Sequence, residues 1–119
     1  MKEVIAVIRS GKDRPTKEAL ALMGISGSST VRVYGRGRQR GLRYRGVSSN
    51  AEPIPSEIVV KYLPKKMISL VIPDKEVKAV IQTIIRVNQT GQYGDGKIFV
   101  LDVGEAYRIR TREKGEGVL

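Results

Sequence analysis

The chain has 119 residues, 40% apolar and 29% charged, which suits one globular domain with a modest core. It contains no cysteine and no histidine; this excludes disulfides and thiolate metal sites, and removes the commonest general base. A net charge of +10 calls for an anionic partner, either a macromolecule or a small polyanion.

Met1-Lys2-Glu3-Val4 runs directly into a strand pattern without signal-peptide architecture, so a cytoplasmic protein is expected. Val4 to Ile8 is a short apolar run and reads as a buried strand. Asp13 and Pro15 open a helix carrying Ala19, Leu20 and Met23, and Gly24 ends it. Thr30-Val31-Arg32-Val33-Tyr34 alternates with period two and predicts a second strand. From Gly35 to about Lys61 no period is sustained, and Pro53 and Pro55 argue against a regular element there. So long a connection inside a small domain points to a functional or disordered loop. Met67 to Ile72 predicts a third strand. Pro73-Asp74 then starts a helix whose Val77, Val80, Ile81, Ile84 and Ile85 form a core-facing stripe. Gly91 stops it, Ile98 to Val103 forms a fourth strand, and a polar, charged tail remains.

The order β-α-β-β-α-β predicts an α+β, ferredoxin-like domain, with two helices on one face of an antiparallel sheet. Its other face would be exposed and apolar, which favours oligomers.

Two segments carry the positive charge and the glycine. Arg32, Arg36, Arg38, Arg40, Arg43 and Arg45 fall in one stretch without an acidic residue. Further on, Gly91, Gly94 and Gly96 precede Lys97, and Arg108 and Arg110 follow. Open backbone with fixed cations is what a polyphosphate requires. Gly91, four residues, then Gly96-Lys97 has the spacing of a P-loop, but Ile98 occupies the position of the magnesium-binding hydroxyl. The order is also reversed, with a helix before the loop and a strand after it, so an ordinary P-loop ATPase is not expected.

Taken together, Gly35-Arg36-Gly37-Arg38-Gln39-Arg40-Gly41, Leu63-Pro64-Lys65, Gly94-Asp95-Gly96-Lys97-Ile98-Phe99-Val100 and Arg108-Ile109-Arg110-Thr111 resemble the PII signal-transduction proteins. The resemblance covers essentially the whole chain and implies a single PII-like domain, 1–119. Residues 35–62 would form the target-docking T-loop, and 104–119 a C-terminal segment. It implies a regulatory homotrimer that binds ATP or ADP in clefts between subunits, and 2-oxoglutarate together with magnesium–ATP. For ATP it implies Val7, Ser29, Gly37, Arg38, Gln39, Lys65, Gly94, Asp95, Gly96 and Lys97, with Arg108 and Arg110 reaching in from a neighbour. For 2-oxoglutarate it implies Gly37, Gln39, Arg40, Gly41, Lys65 and Gly94, and for magnesium Gln39. Arg43, Tyr44 and Arg45 would belong to the partner-docking T-loop.

Arg9-Ser10 replaces the lysine-proline usual after strand one, and the T-loop is longer than in common bacterial members. No tyrosine follows Tyr44-Arg45-Gly46 before Tyr62, so control by ligand alone is expected rather than covalent modification. The long loop is most similar to the nitrogen-fixation branch of methanogens and anaerobes. That likeness implies nitrogenase as target, inhibition relieved by 2-oxoglutarate, and either a homotrimer or a hetero-oligomer with a paralogous subunit. An ammonium transporter or a nitrogen-assimilation enzyme is the alternative target. Nucleic-acid binding is not expected, because Phe99 stands alone where RNA-recognition sheets carry adjacent aromatics. Nor is membrane insertion or an enzymatic role expected, since no apolar run could span a bilayer and no paired carboxylates stand at a telling spacing.

Overall fold

The computed structural model describes residues 1–35, 43–44, 58–59 and 63–119. Along the chain lie β1 (Lys2–Arg9), α1 (Asp13–Leu22), β2 (Ser29–Gly35), β3 (Arg43–Tyr44), β4 (Ile58–Val59), β5 (Leu63–Ile72), α2 (Asp74–Asn88) and β6 (Gly96–Asp102). The main sheet has the order β2-β5-β1-β6, and every neighbouring pair is antiparallel. This is the expected ferredoxin-like arrangement, with β1, β2, β5 and β6 as its four strands.

Strand register decides which residues meet the helices. Val4 stands opposite Leu70 and Val100, and Ala6 opposite Ile68 and Ile98. Paired residues share a face, so Val4, Ala6, Ile8, Ile68, Leu70 and Ile72 gather on one side. There they form a buried core with Leu20 of α1 and with Val80 and Ile84 of α2. Asn88, also buried, closes this layer: its amide donates to Thr16 Oγ1 at 3.0 Å and to the Ile84 carbonyl at 2.8 Å, tying the end of α2 to α1.

The opposite face carries Ile5, Val7, Met67 and Val71 in the middle strands, with Val31, Phe99 and Leu101 on the edges. The last three are about half exposed, so an apolar sheet face stands uncovered, as the alternation predicts.

The structure departs from the sequence expectations in four places. A two-stranded ribbon pairs Arg43 with Val59 and Tyr44 with Ile58, inside the stretch where no strand is expected. Four residues before the expected Met67, β5 begins at Leu63. Pro64 fits because it lies beyond the last β1–β5 pair, Arg9 with Lys65, where the strand is an edge on that side. Ile85 is 44% exposed rather than core, while Thr83 is buried. The tail after Val103 is structured: Tyr107 bridges to Lys114, and the Gly115 N–H donates to the Ala106 carbonyl at 2.9 Å.

Candidate functional site

One end of the sheet gathers the chemistry. Arg9 ends β1, Gly35 ends β2, Lys65 lies near the start of β5, and Gly96 starts β6. The glycine loop, residues 90–95, runs from α2 to that same end.

Asp95 organises the loop from within. Its carboxylate accepts hydrogen bonds from Thr90 N at 2.7 Å, Thr90 Oγ1 at 2.5 Å and Gly91 N at 2.9 Å. Arg9 adds a fourth, with Nη1 on Asp95 Oδ1 at 2.5 Å, while Nη2 donates to the Tyr93 carbonyl at 2.9 Å. The Thr90 bonds above all, followed by Arg9 and the Gly91 N–H, hold the carboxyl far below the usual aspartate range. Asp95 is expected beside phosphates; the geometry directs its oxygens to the protein, where they build the loop.

Lys65 closes the other side. Its side chain is buried, and its Nζ donates to the Gly94 carbonyl at 2.9 Å. Burial and then the nearby Arg9 lower its pKa, against an opposing pull from Asp95. Arg9 and Lys65 therefore hold Tyr93, Gly94 and Asp95 from two adjacent strands. Sequence reading notes Arg9 only as a departure from the usual lysine-proline. Its contact with Asp95 spans 86 positions, and no local pattern announces it.

Gly96 fixes how close the loop comes to β1. At φ +115°, a Cβ there would lie 2.0 Å from the Val7 carbonyl oxygen, so only glycine fits. Lys97 follows, exposed and opposite Val7 on the uncovered sheet face. The N–H groups of Thr90, Gly91 and Gln92 are engaged within the loop.

One chain thus brings Val7, Lys65, Gly94, Asp95, Gly96 and Lys97 together. Ser29 sits on β2, at the opposite edge of the sheet from β6, opposite Ser69. Three strand spacings make that roughly 14 Å. From Gly96, β6 runs away from the loop for about 20 Å before the arginine segment begins. There Arg108 bonds Glu113 at 3.2 Å, within its own hairpin. Gly37, Arg38, Gln39, Arg40, Gly41 and Arg45 lie outside the described residues, and Arg43 and Tyr44 are described only as the backbone of β3. Among the described residues, no group of three or more His, Cys, Asp or Glu could hold a metal.

On the helix side of the same end, α2 and β6 frame a groove of about 430 Å³. Ile81 and Ile85 form one wall, Ile98 and Val100 the other, and Asp95, Gly96 and Lys97 line it as well.

Comparison with known proteins gives a consistent result. Residues 1–113 match the family described as nitrogen regulatory protein P-II. The chain is 44% identical over 121 residues to the nitrogen fixation nifHD region GlnB-like protein 2 of Methanobacterium ivanovii, covering 100% of this chain and 99% of the relative. Its counterpart named for the nifHD1 region in Methanosarcina barkeri is 45% identical over 122 residues, covering 98% and 97%. Nitrogen regulatory protein P-II 1 of Escherichia coli (strain K12) is 43% identical over 121 residues, with both chains covered in full.

Proposed function

Because the chain belongs to the nitrogen regulatory P-II family, whose members are regulatory signalling proteins and not enzymes, we propose that it senses ATP or ADP and 2-oxoglutarate and controls nitrogenase. The observation that carries the ligand reading is the clamped glycine loop. Arg9 and Lys65 hold it, Gly96 presses it against β1, and Lys97 stands at its exit. A loop held in this way presents its backbone and Lys97 to a polyphosphate with little ordering left to do on binding.

In this reading the phosphates lie along Gly94, Gly96 and Lys97, with Arg38 contributing from the T-loop, and the base and ribose near Val7. In this reading Ser29, Arg108 and Arg110 come from a second copy, which the place of Ser29 on the edge strand far from β6 supports for that residue. The uncovered apolar sheet face supports an assembly, a homotrimer or a hetero-oligomer with a paralogous subunit. Bound magnesium would supply charge neutralisation between phosphates and a carboxylate. Lys65 and the backbone of Gly37, Arg40 and Gly41 would receive 2-oxoglutarate, with Gln39 oriented to the ion.

Lys65 and Gln39 flank the T-loop, so a ligand touching both selects among the loop's conformations and withdraws it from its target. The nitrogen-fixation names of the methanogen relatives support nitrogenase as that target. An ammonium transporter is the alternative. No helix among the described residues is long and apolar enough to cross a membrane, and the proposed setting is the cytoplasm.

The test is Gln39→Glu. The added carboxylate should abolish the 2-oxoglutarate response in a nitrogenase inhibition assay while leaving ATP binding within a few-fold of the parent. A Gln39→Glu protein that still answers 2-oxoglutarate contradicts the mechanism. A parent chain that never inhibits nitrogenase, yet is retained by an ammonium transporter, moves the target.

A further inference from the structure

We infer that Arg32, Tyr34 and Lys66, at the foot of the T-loop on the helix side of the sheet, form a docking patch for an acidic surface of the protein that this chain regulates. The inference rests on the target-docking reading above and adds a contact outside both the T-loop and the ligand site.

Strand register sets Arg32 directly opposite Lys66, and Tyr34 opposite Pro64. Like charges directly opposite in an antiparallel pair destabilise it. No carboxylate offsets this pair: among the described residues, neither side chain makes an ion pair or a hydrogen bond. The acids of the adjoining elements are already engaged, Asp95 by Arg9, Asp13 by Lys17 and Glu18 by Arg14. In sequence, Arg32 also opens the arginine-rich stretch that holds no acidic residue. The fold therefore carries an uncompensated repulsion that an external anion would relieve.

That anion is not the one at the glycine loop. Successive residues of a strand point to opposite faces. Lys65 reaches the Gly94 carbonyl from the uncovered face, whereas Lys66 shares the helix side with its β1 partner, the core residue Ile8. A small anion held by Lys65 and Lys97 leaves Arg32 and Lys66 as they were. Shape and composition fit a protein surface. Arg32 is exposed and Tyr34 is 67% exposed, roughly 7 Å apart along an open edge strand. Arginine and tyrosine are the residues that protein interfaces use as anchors, whereas bases would need further aromatics to stack on. Position selects the partner: β2 ends at Gly35 and β5 begins at Leu63, so the patch flanks both ends of the T-loop. A protein held by that loop comes to rest beside Arg32 and Lys66, and an acidic surface there is steered in and bound by them.

Charge reversal tests the patch with the fold matched. Arg32→Glu with Lys66→Glu keeps a like-charge pair, so stability should change little, while Arg32→Lys with Lys66→Arg keeps the sign. In a nitrogenase inhibition assay the double reversal should raise the half-inhibiting concentration about thirtyfold and flatten its salt dependence. The charge-keeping variant should stay within about threefold of the parent, and magnesium–ATP affinity within about twofold in both. Arg32→Glu alone creates an opposite-charge pair, and should raise the melting temperature by about 2 °C while weakening inhibition. A double reversal that inhibits at the parent's concentration and salt slope overturns the patch. A parent that does not inhibit nitrogenase defeats the target reading on its own, and poly-L-glutamate then decides the patch. Binding about tenfold weaker in the double reversal supports it, and equal binding overturns it. A larger loss for an oligonucleotide of the same charge than for poly-L-glutamate overturns the acidic-protein partner.

Discussion

The glycine loop and the arginine hairpin belong to one proposed site but are built in opposite ways. The loop is held by other parts of its own chain: Arg9 from β1, Lys65 from β5, and the Val7 carbonyl against Gly96. Among the described residues, the hairpin's hydrogen bonds stay inside the segment 105–119, and it leaves Ile109 in water. One half is tied into the sheet of its own chain, and the other leaves an isoleucine in water. In the proposed sensor, a ligand touching both halves would report on assembly and occupancy at once.

The contrast can be broken most severely at the loop. Gly96→Ala places a Cβ on the Val7 carbonyl at a backbone angle that disfavours side chains. It should cost about 3 kcal/mol of stability, read by urea unfolding, and abolish nucleotide binding. The hairpin should behave in reverse. Replacing Arg108 and Arg110 with alanine should leave the melting temperature within about 2 °C, because the exposed Arg108–Glu113 pair contributes little to the fold, and weaken ATP binding about a hundredfold through lost charge-assisted bonds to the ligand. Asp95→Asn should have a smaller effect on binding than either. It keeps the shape but loses the charge that Arg9 and the Thr90 donors hold, and it should weaken ATP binding about tenfold by loosening the loop.

The smallest effect concerns protons. Burial, then Arg9, lowers the Lys65 pKa from its ordinary 10.5. The folded protein therefore sheds this proton before the unfolded chain does. Between the lowered value and 10.5, stability rises with pH because the unfolded state binds more protons. A carboxylate ligand would lose its cation over the same interval. Affinity for 2-oxoglutarate should decline at a lower pH than an ordinary lysine would set, with protons taken up on binding. Calorimetry in two buffers of different ionisation heat measures that uptake.

Much of this contrast was legible in the sequence, but unevenly. The order of elements follows from periodicity, and Val80, Ile84, Val4 and Ala6 lie where their spacing puts them. Ile85 fits the same helical stripe yet is exposed, because the stripe is wider than the sheet it covers and β6 is an edge. Arg9 was not legible as the loop's clamp, since its partner stands far away in sequence. Asp95 sits among phosphate-binding letters, and residue type alone cannot say that its oxygens turn inward to Thr90 and Gly91. The hairpin carries no periodic signal: one bridge, one cation over an aromatic ring and a few local bonds hold it. The resemblance, by contrast, assigns Arg108 and Arg110 to a neighbour's site, a role that no local pattern in the hairpin announces.

The most direct test of the central claim is calorimetric titration of 2-oxoglutarate into the purified protein, with and without magnesium–ATP. The sensing account predicts binding only when magnesium–ATP is present. Equal binding in its absence, or none under either condition while ATP still binds, would contradict it.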